Sequence, residues 1–596
     1  MFQFVATYPS PSRNAIQHIA LPQTAPQGAE LLFARCEKQE NGGYRYETAT
    51  YMNLLHRTRW QTLADIETIS LEVTCRGCGR LVLQGSSVSD AKNEYTFSDL
   101  AYIDVQSDDP ATFTVSLNDN YDFYSLAWET PKEHSLTILN ACYTEKDRLP
   151  NKIYNSVRLA FVIPTYQRVD DIVKTIKKYK DICNSSSYIE ESTHVFIINN
   201  DTAIKNFPYS SEKNITVIHN NHNFGGSGGF ARGAYEALAQ KNFSHIVFMD
   251  DDVIIHEESL FRTLALLTRL KKLYANQIIS GSMFTRENPT WCHVIMEGLN
   301  ENGLGETIAG KQDLSSRQHV TAILTAVQQY TPLYIDAEST IKITPQKIIP
   351  PYAAWWYCVI PVAIFSQYGY PLPVFFRGDD QEFGMRIRSF PLPLNGICVW
   401  HADFSNKYSL LRLYLGVRNN AITNILHFKK WKRNLLRQIC FKLAREIARC
   451  NYAECAIRIL AWQDFLHFAF IPSHGEFLIS RVASISKQFP QPEKPAEESQ
   501  RAYPRRRGKK FFPLLLLYLT LGGSLLPETL RNRLFLFWNP EKQQKYFNRF
   551  RAMSFAFSSI TLMGKIFFLP RSCFIKHIPK YIFTNNSTQV EISNIH

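Results

Sequence analysis

With 596 residues, 45% of them hydrophobic and 20% charged, the chain has globular composition and is too long for one hydrophobic core. These values exclude a disordered or fibrous protein and predict two to four structural units. The net charge of +13 is uneven: from Lys429 to His596, 28 Lys and Arg stand against 10 Asp and Glu, and the remainder is slightly acidic. A basic end of this kind is attracted to phosphate-rich surfaces, either anionic lipid or nucleic acid. The 12 cysteines are scattered. Cys75 and Cys78 form the only C-x-x-C, without the second pair of a four-ligand zinc set, and read as a pair on a turn. The start, "MFQFVATYPSPSRN", lacks a basic region followed by an apolar run, which predicts a reducing cytoplasm.

Residues 1–150 show short β-favouring runs between turn signals, such as "SLEVTCRG", "GRLVLQG" and "ATFTVSLND", and predict a small β-sandwich. Over 151–424 the texture changes to strands alternating with helices. "RLAFVIP", "THVFIINN", "NITVIHN" and "HIVFMDDD" read as buried strands; "VDDIVKTIKKYKDI" and "SGGFARGAYEALAQK" read as helices. The fold class is therefore α/β, with a parallel sheet covered on both faces. Ligands of such sheets bind at the carboxyl ends of the strands, where the polar residues collect here.

A helical region comes next over 425–488, then a Pro- and charge-rich linker over 489–510. The stretch 511–596 reads as an apolar and basic membrane-associating region. Its apolar run Phe511–Leu526 is short of the ~20 residues needed to span hydrocarbon. It suits a segment lying in the interface or a buried helical hairpin better than a spanning helix, and spanning is left open. Aromatics mixed with Lys and Arg further on suit a headgroup layer.

The chemistry concentrates in a few segments. Asp250, Asp251 and Asp252 directly follow an apolar strand, where three adjacent carboxylates repel unless a cation or solvent neutralises them. First and third side chains of an extended segment share a side, so Asp250 and Asp252 could meet one Mg²⁺ or Mn²⁺; a solvated acidic turn is the plain alternative. Gly225, Gly226, Gly228 and Gly229 lead into a helix whose N–H groups favour anions, without the Gly-Lys-Ser/Thr of a P-loop. Trp355 and Trp356 suit either core packing or stacking on sugar rings. Asp379, Asp380 and Glu382 enter a helix, where a carboxylate could act as general base or as a helix cap. His401 lies just past another apolar strand.

Taken in order, "FVIPTYQR", "FIINNDT", "NFGGSGGFARG", "VFMDDDV", "AAWWYC", "FFRGDDQEFG" and "VWHADF" resemble the motifs of inverting family 2 glycosyltransferases. More narrowly, they resemble the galactofuranosyltransferases that polymerise cell-wall galactan, over about Arg158 to Asn424. The resemblance implies a GT-A fold between an N-terminal β-sandwich and a C-terminal, mainly helical region. It implies a UDP-sugar donor with Mn²⁺ or Mg²⁺ held by Asp250, Asp252 and His401. Donor contacts fall on Thr165, Arg168, Asp251, Asn223, Gly225 and Gly226. The family often has an Asp after the second strand to meet the uracil; here that position is Asn199, with a different donor and acceptor pattern. Trp355 and Trp356 match residues facing the sugars, with Glu382 on the acceptor side. Asp380 matches the catalytic base, and Asp379 a residue holding the acceptor.

The expected activity is inverting transfer of a sugar, galactofuranose from UDP-galactofuranose, to a lipid-linked or cell-surface polysaccharide. The enzyme would lie peripherally on the cytoplasmic face of the inner membrane, bound to an anionic surface and not to nucleic acid. Oligomeric state is left open. Rival readings are transfer from another nucleotide sugar, a metal-dependent nucleotidyltransferase, and a non-catalytic binder acting through the basic end.

Overall fold

The computed structural model describes residues 14–22, 25–89, 94–145, 154–204, 207–210, 212–338, 351–403, 408–448, 451–467, 474–489, 549–569, 571, 580–583 and 590–593. Between Ala15 and Glu145 the described strands are all antiparallel, and two of them, Ile69–Ser89 and Glu94–Ser116, pair along almost their whole length. The first is long enough to take two partners end to end on its other edge. Leu136–Glu145 lies along its first half and Phe123–Thr130 along its second. The other strands join these, so eight strands share one hydrogen-bonded sheet where a sandwich would have two. Cys75 and Cys78 sit inside the Ile69–Ser89 strand and not on a turn; both thiols are free. Between them Gly77 has φ +113° and marks a bulge, where a Cβ would fall 2.1 Å from the Ser135 carbonyl oxygen.

The second unit is α/β. Leu159–Thr165 is flanked in parallel by Thr193–Asn199 and His245–Phe248, and Ile215–His219 lies outside Thr193–Asn199. Antiparallel Cys358–Pro361 and then Ile279–Ser280 complete this six-stranded sheet. Alternation along the strands divides its apolar side chains between two cores. Leu159, Phe161, Ile163, Val195 and Val247 face one; Ala160, Val162, Phe196, Ile246 and Phe248 face the other. The helix Gly225–Ala239 rides so close on the second face that a Cβ at Gly233 would lie 2.2 Å from Val162 Cγ1. The register aligns Thr165 with Asn199 and Asn199 with His219, and places Phe248 beside Val162, so the polar residues after each strand emerge at one edge.

A second, five-stranded sheet brings a distant segment to that edge. Ile254–Ile255, just past the three aspartates, pairs with Cys398–His401, which continues through Ser282–Thr285 to Trp291–Val294. The two units share one continuous core and a buried ionic bridge. Glu258, on the helix Glu257–Arg269, accepts hydrogen bonds from Arg262 at 2.7 and 3.0 Å and from the His18 backbone N–H at 3.0 Å.

Helices Leu410–His427, Trp431–Ala448, Tyr452–Leu466, Gly475–Gln488 and Arg549–Phe568 come after these sheets in the chain. Ile422, Leu435, Ile439, Trp462, Phe465, Phe555 and Ile566 form a core among them. The linker expected over 489–510 lies outside the described residues except for Phe489. So does the apolar run 511–526. Among the described residues no helix is long and apolar enough to cross a membrane.

Candidate functional site

Two segments converge at the carboxyl edge of the six-stranded sheet. Asp250 and Asp252 lie in the turn after His245–Phe248, and His401 ends the strand Cys398–His401. His401 Nε2 is 3.0 Å from Asp252 Oδ1 and 3.8 Å from Asp250 Oδ2. One ligand atom from each of the three lies within 4.8 Å of the other two. His401 Nδ1 is 2.6 Å from the Ala402 carbonyl oxygen, a contact that requires the proton on Nδ1 and orients the ring with Nε2 toward the carboxylates. Two carboxylates and one such imidazole, with Asp250 partly open to solvent, fit an oxygen-preferring divalent cation.

Asp251 lies in the same turn and is buried beside this cluster. Arg168 caps the helix Val169–Ser185 and reaches both neighbours, its Nη1 lying 3.2 Å from Asp251 Oδ1 and 3.0 Å from Asp252 Oδ2. Burial pushes the Asp251 carboxyl up, against the pull of the neighbouring Thr165 hydroxyl and of Arg168. Arg412 lies in the field of Asp250, Asp252, Arg168 and Arg377; burial first, then the two arginines, lower its value. Cationic groups therefore ring the carboxylates, an arrangement suited to a diphosphate.

The glycine-rich segment, which forms the first turn of the helix Gly225–Ala239 and does not precede it as a loop, closes the other side. Gly225 has φ +67°, and a Cβ there would fall 2.2 Å from the Phe375 carbonyl oxygen. A Cβ at Gly226 would lie 3.8 Å from Asp379 Oδ2, so the segment abuts the start of the helix Asp379–Ile387. Asn223 braces this approach by accepting the Gly225 N–H on its Oδ1 at 2.9 Å.

Asp379 and Asp380 open that helix, one buried and one half-buried. Burial raises both carboxyls, and the charge of Asp250 adds to each; Asp380 is raised further by Asp379 and Glu297. The pair thus sits within the electrostatic reach of the Asp250–Asp252–His401 cluster and holds a proton more tightly than ordinary aspartates. A network that the motifs do not announce completes this wall. Tyr352 donates to Glu297 Oε1 at 2.5 Å, and Gln381 Nε2 donates to the Tyr352 hydroxyl at 3.0 Å. Burial raises the Glu297 carboxyl as well. Glu297 falls in the strand Met296–Leu299, and no sequence signal separates it from a surface glutamate.

Other expected contacts fall differently. Glu382 turns into the protein, 3.0 Å from Arg386 and 3.1 Å from His427 Nε2, so it ties its helix to Leu410–His427 and does not face an acceptor. Asn199 is buried and engaged by its own loop: Nδ2 meets the Asp201 and Ile204 carbonyls and His219 Nδ1, and Oδ1 accepts the Asp201 N–H. Base recognition by Asn199 would require breaking that turn. Trp355 is boxed edge to face by Phe230, Phe248 and Phe383, with ring centroids 5.1, 5.0 and 5.9 Å away. Trp356 donates through Nε1 to the Gly281 carbonyl at 2.8 Å. Both tryptophans are buried in this structure, and core packing accounts for their positions.

Residues 160–320 match the family model described as Glycosyl transferase family 2. The chain carries a family 2 glycosyl transferase domain and is galactofuranosyltransferase-like. It is 24% identical over 432 residues to Galactofuranosyltransferase GlfT2 of Mycolicibacterium smegmatis, covering 70% of this chain and 63% of that protein. It is 25% identical over 462 residues to Galactofuranosyltransferase GlfT2 of Mycobacterium tuberculosis, covering 74% and 68%. The match therefore spans under two thirds of the first relative. A solved Clostridium thermocellum xylanase fragment aligns with 31% of this chain and 38% of its own at 9% identity and a TM-score of 0.15, too little overlap to bear on the fold. The family match begins in the first strand of the six-stranded sheet, Leu159–Thr165, and includes the three aspartates. It stops before the other half of the site, Asp379, Asp380 and His401.

Proposed function

We propose that the chain is an inverting glycosyltransferase that moves a sugar, galactofuranose from its UDP donor, to a glycan acceptor. The observation that carries this reading is the placement of the raised Asp379–Asp380 pair beside the Asp250–Asp252–His401 cluster. A leaving diphosphate and an attacking hydroxyl need those two kinds of group on opposite sides of one anomeric carbon. Asp380 receives the proton of the acceptor hydroxyl as that oxygen attacks, and Asp379 holds the acceptor. Arg168 and Arg412 face the diphosphate. Asp250, Asp252 and His401 would hold Mn²⁺ or Mg²⁺, which when bound supplies positive charge to the leaving group. The galactofuranosyl donor is favoured by the two relatives, whose names carry that activity.

An acceptor on a lipid carrier fits the exposed apolar side chains of Phe557, Phe567 and Phe568 on the helix Arg549–Phe568, together with the basic charge of the C-terminal third. In this reading the chain works peripherally at the cytoplasmic face of a membrane. The deciding experiment incubates the purified chain with Mn²⁺ and a panel of nucleotide sugars, UDP-galactofuranose first, and reads released nucleoside diphosphate. Release of pyrophosphate from a nucleoside triphosphate instead would make it a nucleotidyltransferase and sink the proposal.

A further inference from the structure

Outside this site, a second group of metal-binding side chains meets where the glycine-rich segment touches the C-terminal helices. His222, His474 and Glu476 each offer one ligand atom within 4.8 Å of the other two. His474 Nδ1 is 3.0 Å from Glu476 Oε2, and the two imidazole rings have centroids 5.2 Å apart. All three side chains are open to solvent to some degree, so an ion has a path in.

The three are held in place by backbone. The Gly475 N–H donates to the Asn223 carbonyl at 2.6 Å, and the Asn223 N–H donates to Glu476 Oε1 at 3.4 Å. Asn223 is thus clasped from both sides, with His222 immediately before it and His474 immediately before Gly475. Its side chain also fixes the Gly225 N–H. Ligands pinned in this way lose less freedom on binding than the same side chains on a loose surface.

The donor set differs in kind from the first cluster. Two nitrogens and one carboxylate suit borderline ions such as Zn²⁺, with water in the fourth position, whereas an oxygen-rich set suits Mg²⁺ and Mn²⁺. We propose that His222, His474 and Glu476 bind a transition ion of the zinc class, which fastens the glycine-rich segment to the helix Gly475–Gln488. The plain alternative is a His474–Glu476 ion pair beside an unrelated histidine, which would bind no metal.

The test uses the full chain, stripped of metal, in excess Mg²⁺ to fill the oxygen-rich site, titrated with Zn²⁺ against a chromogenic zinc chelator. The wild type should compete for one Zn²⁺, and Zn²⁺ should raise its melting temperature. His222→Ala and His474→Gln should each weaken that binding by more than the ~10–100-fold an outer-shell change causes, with no zinc-dependent rise in melting temperature. Asp252→Asn should keep it. Melting curves in chelator establish that the histidine variants fold. No competition by the wild type, equal competition by wild type and both histidine variants, or loss only in Asp252→Asn would each overturn the proposal.

Discussion

His401 Nε2 approaches Asp252 Oδ1 to 3.0 Å because the strand that ends in His401 pairs with Ile254–Ile255, two residues beyond the aspartate. Strand register brings the two residues together, and Arg168, 3.0 Å from Asp252 Oδ2, holds the other carboxylate oxygen. Asp252→Asn keeps the shape and removes one charge from the cluster. It should abolish saturable Mn²⁺ binding, read by paramagnetic resonance, and reduce diphosphate release on the order of 10²-fold or more. Unchanged Mn²⁺ affinity would remove Asp252 from the ligand set.

The Asp379–Asp380 pair makes a second prediction, about pH. Burial and neighbouring carboxylates raise Asp380, and a base acts only when deprotonated, so transfer should fall as pH drops through that raised value. Glu297→Gln removes one of the like charges, which lowers Asp380 and moves the acidic limb of the rate profile to lower pH. Asp380→Ala should cost about 10²–10⁴-fold in turnover while donor binding persists. A limb that stays put in Glu297→Gln would show that another group sets it.

A third concerns how the two units are joined. Arg262 and His18 hold the buried Glu258 carboxyl down at about 2, against burial, from an ordinary 4.5. A depressed folded value stabilises above the unfolded one, so this contribution is complete above pH 4.5 and is lost as pH falls toward 2. A shift of that size corresponds to about 3 kcal/mol. Glu258→Gln leaves Arg262 buried without its counter-charge and should destabilise at neutral pH by roughly 3–5 kcal/mol. Denaturant melts should show the wild-type advantage shrinking between pH 4.5 and 2; a constant gap would refute the ionic account.

Strand geometry made half of the site legible in the sequence. Apolar runs ending in Thr165, in the three aspartates and in His401 each announced a strand end, and strand ends of a parallel sheet share an edge. Side-chain direction past the strands was not legible. Glu382 lies two residues beyond Asp380, yet the helical turn between them swings it from the site to Arg386 and His427. Asn199 stands at a strand end like Thr165, but local turn carbonyls capture its amide. The single N-terminal sheet was hidden because alternation marks a strand without saying how many partners it can hold along its length.

The last prediction concerns the helix Arg549–Phe568. Phe555, Leu562 and Ile566 are buried on one side, whereas Phe557, Ile560, Phe567 and Phe568 are 68%, 45%, 59% and 81% exposed. At ~100° per residue the exposed four fall within one face opposite those three, so a single apolar strip meets solvent. Lys432 flanks it, donating to the Phe567 carbonyl at 2.8 Å, and Lys565 lies in its last turn. A strip of this kind beside cations suits the interface of an anionic bilayer. Exposed side chains can be changed without opening the core, so Phe557→Glu with Phe568→Glu should leave the melting temperature nearly unchanged. If each ring buries on binding, losing ~1.5–3 kcal/mol apiece weakens adsorption to phosphatidylserine vesicles about 100-fold or more. Wild-type binding should also fall as salt screens the basic end. Equal sedimentation of wild type and double variant with these vesicles would assign membrane attachment, if any, to another part of the chain.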